Sequence, residues 1–222
     1  MRYDGFHKPP WKHRNDLQAS LAFSKFHFVN VNHRLLTFYF AARGYVLAAL
    51  LGVWVRARML SAAPLRWDFL ALVIAGVILR LWAGAHLGGH GNSLQAQSPA
   101  LRNSGPYRFS RNPLYIANIL TGAGLILFAN CFSLWFTILA VVFLFAHHAL
   151  LIRWEEKKLW ERWGDAYDNY VRSTPRWLGR NRSRDFTEEA TPQWNKVLTW
   201  QGRNVAYTVL SALLLWGVTR WK

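Results

Sequence analysis

The sequence predicts an all-α protein, an integral membrane helical bundle with about five transmembrane helices of roughly 20 residues each. Three observations carry that reading. The 222 residues are 52% apolar and include 13 tryptophans, yet the formal net charge is +16. The charges do not mix with the apolar residues but gather between long uncharged runs. Lys and Arg flank those runs, as they do at the cytoplasmic ends of membrane spans. A strongly basic chain also suggests nucleic-acid binding, but the uncharged runs that separate the charges argue against it. Cys131 is the only cysteine, which excludes an internal disulfide and a cysteine-based zinc site.

Residues 1–36 read as a basic cytoplasmic arm, with Pro9 and Pro10 and without the early apolar core of a cleavable signal peptide. Within it, residues 17–29 fit either an interfacial helix, through Leu17, Leu21, Phe23 and Phe28, or a loose tail. The first span covers 37–55 and is interrupted by Arg43. The second covers 68–87, contains Arg80 and ends at His86, before a glycine-rich loop from Gly88 to Ser104. Spans three and four, 114–129 and 131–152, are joined only around Asn130 and form a tight helical hairpin. The third is short, which tilt or bilayer thinning absorbs. A fifth span, about 197–219, lies between Trp200 and Trp221. This divides the chain into the arm, a core at 37–178, and a cytoplasmic linker with an extra C-terminal span at 179–222.

Orientation follows from basic residues. Residues 153–204 hold eleven Lys and Arg and the arm holds six, whereas the hairpin tip at 130 holds none. The arm, the 88–113 loop and the 153–204 segment are therefore expected in the cytoplasm. Arg56, Arg58 and Arg66 fall on the opposite side and conflict with that assignment. Arg43, Arg80, Asn118, Thr121, His147 and His148 all fall in the cytoplasmic half of the spans. Ionisable groups there are functional candidates. An arginine that snorkels to the interface is the alternative for each one singly, and a polar pocket open to the cytoplasm accounts better for the set.

Two stretches bound the hairpin. Asn112-Pro113 has the residues favoured at a helix N-cap and first position. A helix starting there turns its positive end toward the cytoplasm, beside Arg108 and Arg111, and such ends bind anions. Taken alone, the pair reads better as a plain cap, with arginines that only bind lipid phosphate. At the other end, Leu159, Trp160, Trp163, Tyr167 and Tyr170 recur at helical intervals opposite Lys157, Lys158, Glu161, Arg162, Asp165 and Asp168. This predicts an amphipathic helix along the cytoplasmic surface, bent at Gly164. Glu155 and Glu156 stand where the chain leaves the bilayer and need a cation, for which Arg80, Arg108, Arg111 and Arg153 are nearest. The competing account is an interfacial salt-bridge cluster with no chemistry.

These residues resemble the membrane methyltransferase superfamily of isoprenylcysteine carboxyl methyltransferase and the phospholipid N-methyltransferases. The resemblance rests on Gly105-Pro106-Tyr107, Arg111-Asn112-Pro113-Leu114-Tyr115, Glu155-Glu156-Lys157-Lys158-Leu159, Trp163-Gly164, Tyr167, Tyr170 and Pro175, preceded by Arg80-Leu81-Trp82-Ala83 and Leu87-Gly88. It covers about 76–178 and departs from the isoprenylcysteine branch at Asn112, where that branch has His, and at Ala117, where Gly is common. The resemblance implies S-adenosyl-L-methionine-dependent methyl transfer at the cytoplasmic face of a bacterial inner membrane or an ER-type membrane. It implies cofactor binding by Tyr107, Arg111, Asn112, Pro113, Tyr115, Glu155 and Glu156. In that reading the cofactor's carboxylate meets Arg111 and Asn112, its amine, ribose hydroxyls and sulfonium meet the glutamates, and its adenine lies against Tyr107, Tyr115, Trp160 or Trp163. Glu156, Arg80 and His148 are the catalytic candidates. His148, His147 or His86 would serve as base for an amine or thiol acceptor, and Arg80 would orient a carboxylate.

The expected partners are membrane lipid and a lipophilic acceptor, with no nucleic acid; oligomeric state is not legible. No metal is expected, because Gly88 and Gly89 interrupt the helix that His86 and His90 would need, and His147 and His148 point apart. Gly122-Ala123-Gly124 reads as a packing stripe rather than a nucleotide loop. Two other functions fit the hydropathy: a sterol-reductase-like enzyme using NADPH, and a non-enzymatic membrane adaptor.

Overall fold

The structure is a computed structural model that describes residues 33–88, 101–179 and 191–220. The interfacial-helix reading of 17–29, most of the 88–104 loop with His90, and the start of the 179–222 linker lie outside the described residues. The chain divides into two units, 1–43 and 44–222. Of the first, only the beginning of a helix is described.

Every described element is helical. Helix α1 runs His33–Leu60, α2 Leu70–Leu87, α3 Pro113–Ala129, α4 Leu134–Trp163, α5 Asp165–Ser173 and α6 Trp194–Gly217. Short 3-10 turns at Trp67–Phe69 and Gly105–Arg108 lead toward α2 and α3, and a third, Val218–Arg220, ends α6. Two stretches, Trp67–Leu87 and Leu134–Trp163, are long and apolar enough to cross a membrane. Helix α3 is apolar but only 17 residues long. Helices α1 and α6 have the length, 28 and 24 residues, but carry charge within it: Arg43, Arg56 and Arg58 in one, Lys196 and Arg203 in the other.

Over the first half of α4 most of the apolar side chains point outward. Trp135 is 79% exposed, and Phe136, Leu139 and Val142 are exposed beside it. The same helix buries His147, His148, Glu155 and Glu156. An apolar exterior around a polar interior suits lipid as the surrounding solvent and would be costly in water.

Small residues bring the inner helices together. A methyl group on Gly76 of α2 would collide with Thr121 and Ala117 of α3. One on Gly124 would stand 2.7 Å from Val73 Cγ2 and 2.9 Å from the Val73 nitrogen. Gly122 faces the other way, against Leu144 of α4. The Gly-Ala-Gly stripe thus lets α3 approach two neighbours at once, as small residues do between membrane helices. The contact of α3 with α2 is more extensive than the one with α4. The sequence shows α3 and α4 as a hairpin because they adjoin in the chain, but α2 is the tighter partner. Asn130 turns the chain between α3 and α4 in the left-handed conformation (φ 45°), and its side chain donates to the Pro64 carbonyl at 2.9 Å.

Helix α4 continues unbroken through the segment expected to leave the membrane. The break falls at Gly164 (φ 48°), where α5 begins. Helix α6 docks on α2: Gln201 is fully buried against Gly84, and the Gln193 N–H donates to the Ala85 carbonyl at 2.9 Å. Farther along, Leu215 packs with Phe128 and Ala129 of α3.

Two of the three arginines that conflict with the charge count have structural work. Arg58 is buried and donates from NH1 to the Ala129 carbonyl at 3.0 Å. A guanidinium there meets both an unpaired terminal carbonyl of α3 and the negative end of its dipole. Arg66 pairs with Asp68 at 2.9 Å and lies over the Phe69 ring. Arg56 is exposed.

Two predictions follow from this packing. Gly124→Val overpacks the α2–α3 contact and lowers stability in detergent by about 1–3 kcal/mol, whereas Gly202→Ala, inside α6 with open space beside it, keeps or raises the denaturation midpoint. Arg58→Leu removes a buried charged hydrogen bond and costs about 2 kcal/mol in the same assay.

Candidate functional site

The segment before α3 and the end of α4 meet at one carboxylate. Glu156 is 4% exposed. Its Oε1 accepts from Asn112 Nδ2 at 3.3 Å and lies 3.4 Å from Arg111 NH2. Its Oε2 accepts two hydrogen bonds from Arg176, from Nε at 3.0 Å and from NH2 at 2.7 Å. Arg111 and Asn112 precede α3, Glu156 lies in α4 and Arg176 follows α5. One buried anion therefore ties together three parts of the chain that are distant in sequence.

The backbone reinforces the same junction. The Arg111 N–H donates to the Pro175 carbonyl at 3.0 Å, and the Gly179 N–H to the Phe109 carbonyl at 3.0 Å. The Arg176 carbonyl accepts from Asn112 Nδ2 at 3.1 Å and from Ser110 Oγ at 3.2 Å. Residues 175–179 thus lie as a strap against 109–112.

Asn112 occupies the N-cap position of α3, but its side chain makes no cap bond. Its Nδ2 donates to Glu156 and to the Arg176 carbonyl, and a side chain turned to serve a buried carboxylate does not bring Oδ1, the acceptor a cap needs, to the helix N–H groups. The first turn is satisfied by other means. Ser110 Oγ accepts from the Asn112 N–H at 2.9 Å, and the Asn112 carbonyl accepts from the Tyr115 and Ile116 N–H groups. Pro113, buried at the first helical position, brings no donor.

Tyr107 lies in the 3-10 turn before α3 and is 2% exposed. Its carbonyl accepts from the Tyr170 hydroxyl at 2.8 Å, which fixes the turn against α5. Among the described residues, the hydroxyls of Tyr107 and Tyr167 are buried without a hydrogen-bond partner, as is Arg111 Nε. Burial raises the Tyr107 phenol well above the usual tyrosine range, and Glu155 adds to the effect. Burial raises Tyr167 as well, followed by the charge of Glu156. Both phenols therefore keep their protons and remain donors. Glu155 is 5% exposed and lies close enough to both to act on them electrostatically.

The remaining predicted residues gather between α2, α3 and α4. Arg80 NH1 of α2 donates to Asn118 Oδ1 of α3. His148 of α4 is buried, with its ring edge toward Tyr115 of α3 at 6.0 Å between centroids. His148 Nδ1 lies 2.8 Å from the Leu144 carbonyl, which can only accept, so Nδ1 carries the hydrogen and Nε2 presents a lone pair. His147 stands beside it, ring centroids 4.9 Å apart. His86 lies at the end of α2 against Ser104, at 3.2 Å.

Residues 69–166 match the family model for phospholipid methyltransferase. The match covers just under half of the chain and includes Arg80, Tyr107, Arg111, Asn112, Glu155, Glu156 and His148. It is consistent with the membrane methyltransferase superfamily that the motifs resemble, and this phospholipid methyltransferase segment suggests a methyltransferase embedded in a membrane. No curated protein and no solved structure gives a match.

Arg176 escaped the sequence reading. It follows Pro175 within a run of basic residues and reads there as one more surface charge. Its Pro-Arg position shortly after Tyr170 was the available signal. Tyr167 belongs in the sequence to the helical stripe and to the motifs of the resemblance, neither of which marks its hydroxyl as a donor.

The geometry predicts an order of stabilities. Glu156→Ala leaves Arg111 buried beside no anion and costs about 3 kcal/mol. Arg176 is 37% exposed at its side chain, so Arg176→Ala costs only about 1 kcal/mol. Denaturation midpoints of the two variants in one detergent check the ranking.

Proposed function

We propose that the protein is an S-adenosyl-L-methionine-dependent methyltransferase of the membrane, acting on a lipophilic or amphiphilic acceptor from the cytoplasmic side through a bundle of five spans. The observation that carries the reading is the meeting of Arg111 and Asn112 with Glu156 inside a segment matched to phospholipid methyltransferases. The comparisons favour neither the NADPH-dependent enzyme nor the adaptor.

The residues fit such a cofactor. Two buried phenols without a hydrogen-bond partner among the described residues, Tyr107 and Tyr167, feel the charge of Glu155, and Tyr167 that of Glu156 as well. As neutral donors they suit the oxygens of a carboxylate or ribose, and the glutamate charge suits an amine and a sulfonium. Glu156 itself is already held on both oxygens, so its part is to fix the α3 start and the α4 end in register. The bound cofactor supplies an electrophilic methyl group whose transfer discharges the sulfonium. The protein's contribution is alignment of the acceptor and exclusion of water. For an amine or thiol acceptor, His148 Nε2 has the lone pair to take the proton. For a carboxylate acceptor no base is needed.

Titration calorimetry of the detergent-solubilised protein with S-adenosylmethionine tests the proposal, and wild-type protein that binds none would sink it. Tyr107→Phe and Tyr167→Phe each weaken binding about tenfold. Because each removes a buried hydroxyl that has no partner, neither lowers the denaturation midpoint. Loss of affinity with loss of stability would instead mark the phenols as structural.

A further inference from the structure

Arg80 lies in α2 within a stretch long and apolar enough to cross a membrane. Its position differs from that of the other site arginines. Arg111 and Arg176 direct their charge onto Glu156. Arg80 donates to the side-chain oxygen of Asn118, a neutral group, and its Nε is buried with no partner. Among the described residues it forms no ion pair. A guanidinium withdrawn from water is costly unless an anion accompanies it. Among the described residues, the groups close enough to act on it electrostatically are Tyr107, a protonated phenol, and His148, which uses Nδ1 on its own helix. Neither supplies a negative charge.

We infer that Arg80 and Asn118 form a binding site for the anionic headgroup, phosphate or carboxylate, of a membrane amphiphile. The guanidinium fork matches two oxygens of such a group, and the Asn118 amide hydrogens add donors beside it. Both residues lie within the length of their helices rather than at an end, so a headgroup held there would leave its tail at membrane depth. His148 Nε2 lies on the same side of the bundle. That this amphiphile is the methyl acceptor rests on the proposed function; the anion site itself does not.

The test uses three amphiphiles of equal tail length, decyl phosphate, decanoate and decanol, added to the protein in a neutral maltoside detergent. Each is read as a shift of the thermal midpoint, since a ligand that binds the folded state stabilises it. Decyl phosphate, decanoate or both should raise the wild-type midpoint more than decanol, and the larger of the two shifts names the headgroup. Arg80→Gln should abolish the preference. Asn118→Asp places a carboxylate beside Arg80, so it should abolish the preference while keeping or raising the basal midpoint, which covers the case in which Arg80→Gln does not fold. Equal shifts by all three amphiphiles in wild type would overturn the inference, as would an anion preference that survives in both variants. S-adenosylmethionine titrated in parallel separates the two readings. An Arg80-dependent anion preference without cofactor binding would leave the site standing and remove the enzyme.

Discussion

The buried carboxylate of Glu156 is the constraint on which the site depends. A carboxylate so enclosed is stable only if its oxygens are saturated. Asn112, Arg111 and Arg176 supply the donors, from the segments before α3 and after α5. The start of α3, the end of α4 and the strap after α5 are consequently fixed with respect to one another. The Tyr170 hydroxyl on the Tyr107 carbonyl extends the same constraint to the turn at Gly105–Arg108.

This polar junction requires helices that approach closely and an exterior that does not compete for the buried groups. The glycines at 76, 122 and 124 provide the first, each lying where a side chain would collide with a neighbouring helix. The outward tryptophan, phenylalanine and leucine side chains of α4 provide the second. In lipid no water reaches those faces, so the interior polar groups must satisfy each other or a ligand. Helix α6 contributes although it lies outside the matched segment. It accepts no charge from the site, yet it closes the carbonyl at Ala85 and fills the groove beside Gly84.

Much of this was legible in the sequence because apolar run length and helix period are local signals. The starts of α2 and α3 and the break at Gly164 fall within a few residues of their expected places. The approach of Glu156 to Asn112 and Arg111 was legible too, since one short connection returns the chain antiparallel and brings the two ends level. Arg176 was not legible. Its role depends on the direction taken by the chain after α5, which is set by backbone hydrogen bonds to Phe109 and Arg111 that leave no trace in side-chain pattern. The side-chain direction of Asn112 was also hidden. A cap and a carboxylate ligand use the same residue at the same place, and only the three-dimensional position of Glu156 decides between them.

The arginines opposite the proposed cytoplasmic side show how far a charge count reaches. The count operates when the chain inserts, and pairing in the folded protein does not erase it. The structure supplies a reason for their presence there. Arg58 closes the carbonyl end of α3, and Arg66 joins Asp68 at the turn that leads into α2. Both positions serve helix ends, which need donors or charge wherever they fall in the membrane. Arg56, exposed as Arg66 is, lacks such a structural account. Against it stand the eleven basic residues of 153–204, several of them on the face of α4 opposite Glu155 and Glu156. The orientation proposed for the site therefore rests on the number of basic residues in 153–204, while two of the three residues in conflict have a role at a helix end.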